Sequence, residues 1–446
     1  MDHKKHAEGD EEPACATSDV FAGAECYSLA GKLPVAPPPG VHDCLSIVST
    51  KGGVTMSEIS QKNEGETMLQ SAIALSPKIK ACTEEIERER RLPMHLIQAM
   101  KDAHIFGMAM PRAWGGPELD PITQIRVIEA LSVADASVGW CAMIGVDGGY
   151  MTGFLDQTVA REMYPDIDVP TAFAASPTGR AVPVEGGYRV SGRWPFASGC
   201  HNAEWMIAGC IVSDGEGPPV GADGIPKTRQ CFLPASDCQI LDTWYTTGLR
   251  GTGSTDFAVQ DCFVPAERTF SLQEVSFHRE GPLYRFPFNF LFKFAAPPLG
   301  VARAAIDALI EAAAQRPSRP TSIGDQVAPA RLLRDEAYVQ DAVGKAEALL
   351  GSARSYLFDV RGDIWATLVK HETPTPRQLA QFTMVNPQVF SHCCQAVELV
   401  YKARGGSAVY ANGPLDRCLR DVLNTLKSYA MAGRMLLGLP PEIFLL

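Results

Sequence analysis

The chain has 446 residues, of which 46% are hydrophobic and 20% charged, and its formal net charge is −11. That length exceeds what one hydrophobic core usually holds, so we expect two to four domains of ordinary globular composition. The sequence contains no Lys/Arg cluster that would bind nucleic acid, no apolar run of the roughly 18 residues that span a bilayer, and no visible signal peptide.

The hydrophobic pattern changes along the N-terminal part of the chain. Residues 1–66 show no sustained period and contain a Pro-Pro-Pro-Gly run, so we predict a disordered leader. From residue 67 to 168 apolar residues recur at intervals of three to four, which predicts a helical domain. Glycines and prolines at 111–117 separate two helical runs within it.

Residues 169–276 change to short segments of strand character separated by turns. They include a hairpin edge at 186–192 and a buried strand at 205–212, and they predict a small antiparallel β-barrel or sandwich. Residues 277–446 return to helical spacing, with a long apolar stripe at 339–360 that favours a helical bundle with one face left for a partner subunit. The fold class predicted is therefore α+β and multidomain, in the order helices, strands, helices.

Five motifs stand in the same order as in a known family. They cover residues 89–93 and 110–116, residues 134–140, residues 191–200, and residues 404–410 followed by Arg420-Asp421. With the helix–strand–helix order, they make residues 80–440 resemble the acyl-CoA dehydrogenase superfamily. The resemblance is closest to flavin-dependent monooxygenases that hydroxylate aromatic or polycyclic substrates with reduced flavin from a separate reductase.

The resemblance implies a flavin site around the segment at 191–200. Phe196 would pack on the isoalloxazine ring, since a planar apolar ring suits an aromatic face. Ser198 would reach the N5 edge, where a hydroxyl that donates or accepts is useful. The alternative is that Phe196 is a core residue and Ser198 a turn residue. The remaining residues expected to contact the cofactor are Trp114, Phe173, Ala175, Ser176, Arg250, Gly405 and Gly406; for Arg250 a structural role is an equal alternative.

Two departures from the family pattern bear on the chemistry. True acyl-CoA dehydrogenases use a Glu base, which commonly follows the C-terminal glycine pair, and residues 407–413 contain no carboxylate. Many of the monooxygenases carry a His on the helix after the Arg-Asp pair, and residues 422–434 contain none. Ser198, His392 and Lys427 are therefore the candidate catalytic residues, and for His392 the alternative is a structural helix-face histidine.

The first functional hypothesis is a two-component flavin-dependent monooxygenase that uses reduced FMN or FAD, dioxygen, a partner flavin reductase and an aromatic small molecule. The alternatives are a dehydrogenase or oxidase acting on an acyl thioester, and a non-catalytic flavin-binding member of the family. We expect a homotetramer, or at least a dimer. The thirteen cysteines form no Cys-x-x-Cys pair and the nine histidines no His-x-x-x-His pair, so we expect no metal site, and free thiols in a reducing cytoplasm.

Overall fold

The computed structural model describes residues 56–213, 226–317, 322–323, 326–327, 331–411 and 413–425. Its N-terminal region is helical, as predicted. Asp120 and Asp135 begin two of its helices, because each side chain accepts hydrogen bonds from two backbone N–H groups of the first turn. The helices are α1 (Met56–Ala74), α2 (Ser76–Ala81), α3 (Thr83–Glu89), α4 (Met94–Asp102), α5 (Pro121–Ala134), α6 (Ala136–Gly145), α7 (Asp147–Met151) and α8 (Gln157–Met163).

Helix α1 begins earlier than the sequence predicts. Residues 56–66 were assigned to the disordered leader, and this part of the prediction is wrong because α1 starts at Met56. The helix is held by ion pairs from Glu64 to Arg112 (2.7 Å) and from Glu66 to Arg126 (3.2 Å). Such polar contacts leave no hydrophobic period in the sequence. The rest of the predicted leader, residues 1–55, lies outside the described residues.

The central region is one seven-stranded sheet in the order β5-β6-β2-β1-β3-β4-β7. Its strands are β1 (Thr171–Val184), β2 (Gly187–Trp194), β3 (Trp205–Val212), β4 (Thr228–Pro234), β5 (Gln239–Leu241), β6 (Asp256–Pro265) and β7 (Thr269–Phe270). The predicted hairpin is the β1–β2 pair, which turns at Gly186 (φ 79°). The prediction of antiparallel pairing throughout is wrong, because β1 and β3 run parallel. The chain crosses from one side of β1 to the other between β2 and β3, and turn spacing alone does not reveal such a crossover.

The C-terminal region is the predicted helical bundle. Helices α9 (Ala296–Gln315), α10 (Ala337–Val369) and α11 (Pro376–Ala403) pack against one another, with α12 (Pro414–Thr425) against α9 and α11. A two-strand hairpin, β8 (Ser322–Ile323) and β9 (Gln326–Val327), follows α9. The predicted apolar stripe is the buried face of α10, which includes Val339, Leu350 and Leu357. Among the described helices, none is long and apolar enough to cross a membrane.

The pairing of β2 with β6 brings two loops together at one end of the sheet. Trp194 at the end of β2 pairs with Phe257 at the start of β6, so residues 195–199 and 250–255 lie side by side. Two backbone hydrogen bonds join the loops, from Ala197 N–H to the Thr255 carbonyl (3.0 Å) and from Gly199 N–H to the Thr252 carbonyl (2.9 Å). Three of the candidate functional residues of the middle region, Phe196, Ser198 and Arg250, lie in these loops.

Candidate functional site

A buried chain of polar groups runs through the two adjoining loops and into α6. Trp140 Nε1 donates to Ser198 Oγ at 3.0 Å, and Ser198 Oγ lies 2.6 Å from Ser254 Oγ. Ser254 Oγ lies 2.7 Å from Thr252 Oγ1, which in turn donates to the Leu249 carbonyl at 2.8 Å. The side chains of Trp140, Ser198, Thr252 and Ser254 are all buried. This chain of hydrogen bonds therefore connects Ser198, a predicted catalytic residue, to the indole of Trp140 and to the hydroxyls of Ser254 and Thr252.

The direction of each hydrogen bond in this chain follows from its two ends. A carbonyl oxygen only accepts, and we assign the single proton of Thr252 to the Leu249 carbonyl, which also accepts from Trp244 Nε1 at 3.0 Å. Thr252 must then accept from Ser254, and Ser254 must accept from Ser198. Ser198 Oγ uses its proton inward and one lone pair for Trp140, which leaves one lone pair. Toward a ligand, Ser198 is therefore a hydrogen-bond acceptor.

Phe196 presents an aromatic face in a strained backbone conformation. Its φ of 63° lies in the left-handed region, where a bulky side chain is uncommon and costs on the order of 1–3 kcal/mol. The side chain is 59% exposed and meets Trp244 edge-on, with ring centroids 6.3 Å apart. The alternative of a core residue is thus wrong for Phe196. An aromatic side chain held outward at such a cost is expected where it contacts a ligand.

Four other residues in the first half of the chain were predicted to contact the cofactor. Three of them lie on β1, and the fourth, Trp114, lies elsewhere. Phe173 on β1 is half-buried and packs edge-on against Phe290 (5.6 Å between centroids). Ala175 and exposed Ser176 lie on the irregular part of β1 between Ala174 and Gly179, where the register with β3 shifts. Trp114 lies under the Arg279 guanidinium (4.4 Å to the ring centroid), in an aromatic cluster around Tyr284. Within the part of the chain that the structure describes, no hydrogen bond or ring contact joins Trp114 to Ser198.

Arg250 and the glycine pair occupy different environments. Arg250 Nε donates to the Glu87 carbonyl (3.1 Å) and Nη1 to the Thr246 carbonyl (3.1 Å), contacts that favour its structural alternative. Gly405 and Gly406 are exposed, Gly405 has a φ of 69°, and a Cβ added at either would meet no atom within 4 Å. Another molecule can therefore approach the backbone closely at Gly405 and Gly406.

The two other catalytic candidates lie apart from the hydroxyl chain or outside the described residues. His392 on α11 is half-buried, with Nδ1 3.3 Å from Ser352 Oγ of α10 and Nε2 2.6 Å from Gln388 Nε2. These contacts favour its alternative role, the pairing of two helices. Lys427 follows α12 and lies outside the described residues.

A cleft of about 790 Å³ opens beside the start of α6. Two buried carboxylates line it, Asp135 at the N-terminus of α6 and Asp421 on α12. Burial raises the pKa of both, and it raises that of Asp421 to about 7 with a further contribution from Asp135. Asp135 precedes Trp140 by five residues, or ~7.5 Å along a helix. The cleft and the hydroxyl chain are therefore neighbours along α6, although neither Phe196 nor Ser198 lines the cleft.

Sequence reasoning did not identify Trp140, Thr252 and Ser254 as partners of Ser198. Thr252 and Ser254 stood in a glycine-containing motif that precedes a strand, and only the pairing of β2 with β6 places that motif beside residues 195–199. The signal available in the sequence was two hydroxyl residues separated by Gly253, because alternation with glycine allows close backbone approach.

Comparison with known proteins identifies the family. The family model described as "Acyl-CoA dehydrogenase, N-terminal domain" matches residues 64–163, and "Acyl-CoA dehydrogenase, C-terminal domain" matches residues 292–433. The flavin-dependent monooxygenase oxygenase subunit HsaA of Mycobacterium tuberculosis is 27% identical over 403 residues, which cover 85% of this chain and 98% of that protein. Indole-3-acetate monooxygenase of Pseudomonas putida is 30% identical over 370 residues, which cover 80% of this chain and 90% of that protein.

A solved structure supports the same grouping. The crystal structure of 3-HSA hydroxylase from Rhodococcus sp. RHA1 superposes with a TM-score of 0.73 at 26% identity, and the match covers 84% of this chain and 97% of that chain. Helices, a central sheet and a helical bundle in this order define an acyl-CoA dehydrogenase-like fold, as predicted. The chain belongs to the acyl-CoA dehydrogenase superfamily, in its branch of flavin-dependent monooxygenases.

Proposed function

We propose that this chain is the oxygenase component of a two-component system that hydroxylates an aromatic or polycyclic small molecule. It would receive reduced FMN or FAD from a separate flavin reductase and use dioxygen. The relatives named above are an oxygenase subunit and a monooxygenase of an aromatic acid, which supports both the partner and the substrate class. The observation that carries the proposal is the acceptor presented by Ser198 beside the exposed ring of Phe196.

The residues at the ends of β2 and β6 fit a reduced flavin. An outward aromatic side chain suits one face of a tricyclic ring. Reduced flavin carries a hydrogen on N5, and an inward-pointing Ser198 proton leaves an acceptor for that N–H. Oxidised flavin has an unprotonated N5, which would face the Ser198 lone pair without a hydrogen bond. The orientation of the hydroxyl chain thus supports preferential binding of the reduced cofactor.

Bound reduced flavin supplies the two electrons with which dioxygen is split between the hydroxylated product and water. The residues of this chain hold the ring and limit access of water. Phe196 would cover one face of the ring, and the buried positions of Trp140 and Ser254 keep solvent from the inner side of Ser198. A dry site of this kind favours transfer of oxygen to the substrate over release of peroxide.

The segment that contains the glycine pair distinguishes the proposed monooxygenase from its main alternative, a thioester dehydrogenase. A thioester dehydrogenase needs a carboxylate base near the reacting carbon. Residues 405–411 carry no carboxylate, and the two buried carboxylates of the cleft, Asp135 and Asp421, already accept backbone N–H groups. The other carboxylates that line the cleft, Glu84, Asp307 and Glu311, are exposed. Asp135 accepts from Ser137, and Asp421 from Leu249 at 2.6 Å. These hydrogen bonds support structural roles for both buried carboxylates. They therefore favour a monooxygenase over a thioester dehydrogenase.

The function can be tested by anaerobic titration with reduced FMN and reduced FAD, followed by addition of dioxygen and a panel of phenols and indoles. We expect binding of reduced flavin and a hydroxylated product whose oxygen derives from ¹⁸O₂. Phe196→Ala should weaken reduced-flavin binding by roughly 1–3 kcal/mol, since ring contact is lost. Phe263→Ala, an exposed Phe on β6, serves as the matched control. Reduction of bound flavin by an acyl-CoA without dioxygen would instead establish the dehydrogenase, and a stable fold without flavin binding would establish a non-catalytic member.

We also propose that the protein works in a reducing compartment such as the cytoplasm. The ten cysteines of the described residues are free thiols, which supports this location. Cys393 and Cys394 are adjacent in α11 and buried, and burial raises the pKa of both thiols. Buried neutral thiols of this kind act as small apolar side chains.

A further inference from the structure

Three side chains with metal-ligand chemistry meet at the junction of α2, α3 and α4. Cys82 lies between α2 and α3, Glu85 is three residues further on the same face of α3, and His95 is the second residue of α4. One ligand atom from each lies within 4.8 Å of the others. The turn that brings α4 back to α3 depends on Arg90, whose φ of 54° is left-handed, and on Pro93 at the start of α4.

The contacts converge on a single nitrogen. Cys82 Sγ lies 3.2 Å from His95 Nε2, and Glu85 Oε2 lies 3.9 Å from the same Nε2. A nucleophile–histidine–carboxylate triad requires the carboxylate on the opposite ring nitrogen, Nδ1. The arrangement is therefore not that of a thiol nucleophile with its base. Three donors that point to one region instead suit a shared cation.

The distances are close to those of a tetrahedral transition-metal site. With Zn–S of about 2.3 Å and Zn–N or Zn–O of about 2.0–2.1 Å, tetrahedral ligands are separated by about 3.6 Å (S to N) and about 3.4 Å (N to O). The observed 3.2 Å and 3.9 Å differ from these values by about 0.5 Å or less. Cys82 is buried, whereas His95 and Glu85 are 55% and 39% exposed, so water has access to a fourth position.

We propose that Cys82, Glu85 and His95 bind a divalent transition metal of the Zn²⁺ class. The mixture of thiolate, imidazole and carboxylate selects this class over Ca²⁺ and Mg²⁺, which take oxygen ligands. The sequence predicted no metal site, because a Cys–Glu–His set over fourteen residues lacks the paired spacings of known zinc motifs. The metal would fix α3 against α4. Helix α3 also carries Glu87, which contacts both Arg250 and Arg420, so the site would stabilise the fold next to the loop at 246–254.

The test uses the full-length protein after treatment with a chelator and then a titration with Co²⁺. We expect one equivalent to bind with a thiolate-to-cobalt charge-transfer band and the visible bands of four-coordinate Co²⁺, and Zn²⁺ to displace it. Cys82→Ser should abolish the charge-transfer band, and His95→Gln should weaken Co²⁺ binding at least about tenfold. Zn²⁺ should raise the melting temperature of the parent protein by more than that of either variant.

Matched controls are Cys262→Ser, a partly buried thiol on β6, and His104→Gln, an exposed histidine after α4. Both should bind Co²⁺ as the parent does. Glu85→Gln changes a partly exposed carboxylate and keeps the experiment informative if Cys82→Ser unfolds. The proposal is overturned if the parent shows no charge-transfer band, or if the band survives in Cys82→Ser. In that case Cys82 and His95 form a hydrogen bond only.

Discussion

At the scale of single residues, the chemistry of the site rests on which way one proton points. The Leu249 carbonyl fixes the Thr252 proton, and this orientation passes through Ser254 to Ser198. Ser198 was predicted from its place in a motif, but its role as an acceptor could not be predicted. That role depends on residues about 55 positions further along the chain, which β-strand pairing brings into contact.

Thr252→Val should change the preference of the protein for reduced over oxidised flavin. Without the Thr252 hydroxyl, Ser254 loses its acceptor and can donate to Ser198, whose own proton then turns toward the ligand. Exchange of one hydrogen-bond preference is worth about 1 kcal/mol, so the dissociation constant for oxidised flavin divided by that for reduced flavin should fall about fivefold. Thr152→Val is the matched control, because Thr152 is also buried and donates to a carbonyl, that of Gly149. The measurement is fluorescence titration with both redox states; an unchanged ratio in Thr252→Val would contradict the orientation derived above.

At the scale of elements, α12 is attached to the β region through a buried carboxylate. Asp421 accepts the Leu249 N–H at 2.6 Å, and Arg420 contacts Glu87 and Asp416. At Gly248 an added Cβ would lie 2.1 Å from the Arg420 carbonyl oxygen, so only glycine permits this close packing. These contacts give both Arg420 and Asp421 structural roles. The sequence did not predict that Asp421 would be buried.

Asp421 should make the protein less stable as pH rises toward neutrality. Its folded pKa of about 7 lies above the ordinary value near 4, so the folded state binds the proton more tightly. The contribution of this residue to the free energy of unfolding is therefore full below pH ~4 and is lost as pH rises through ~7. Asp421→Asn keeps the acceptor for Leu249 and should remove this loss, raising stability at pH 8 by roughly 2–4 kcal/mol relative to the parent.

Urea unfolding at several values between pH 4 and pH 8 measures this effect. Asp421→Ala, which removes the acceptor as well as the charge, should lose stability at pH 4, where Asp421→Asn should not. A parent and an Asp421→Asn variant with the same dependence on pH would show that another group, such as nearby Asp135, carries the shift.

At the scale of the whole molecule, the sequence predicted the order of the regions and most of the strands and long helices. Periodicity sufficed where a face is buried, as on α10, and turn residues sufficed at the β1–β2 hairpin. It failed for residues 56–66, the first part of α1, where Glu64 and Glu66 form ion pairs. It also failed for the parallel pairing of β1 with β3, which depends on topology. Nor did the hydrophobic pattern reveal that Tyr150, Phe154 and Tyr284 would be buried in mutual ring contacts.

The surface beside the glycine pair leads to a prediction about assembly. Val409 and Tyr410 follow Gly405 and Gly406 and are 64% and 67% exposed, an unusual exposure for two adjacent apolar residues. Tyr410 also lines the 790 Å³ cleft. Because two adjacent exposed apolar side chains favour contact with another protein surface, we expect the homotetramer, or at least the dimer, predicted from the sequence to cover Val409 and Tyr410 with a partner subunit.

The paired substitution of Val409→Asp with Tyr410→Ser should weaken this assembly. An aspartate in an apolar contact must be desolvated without a partner, which costs a few kcal/mol, so the dissociation constant should rise at least about tenfold. Multi-angle light scattering at micromolar concentration measures the change in mass. Val184→Asp, at an exposed valine of the β1–β2 hairpin, serves as the control and should leave the mass unchanged. A parent protein that is monomeric at this concentration would contradict the prediction, as would a doubly substituted protein with the parent's mass.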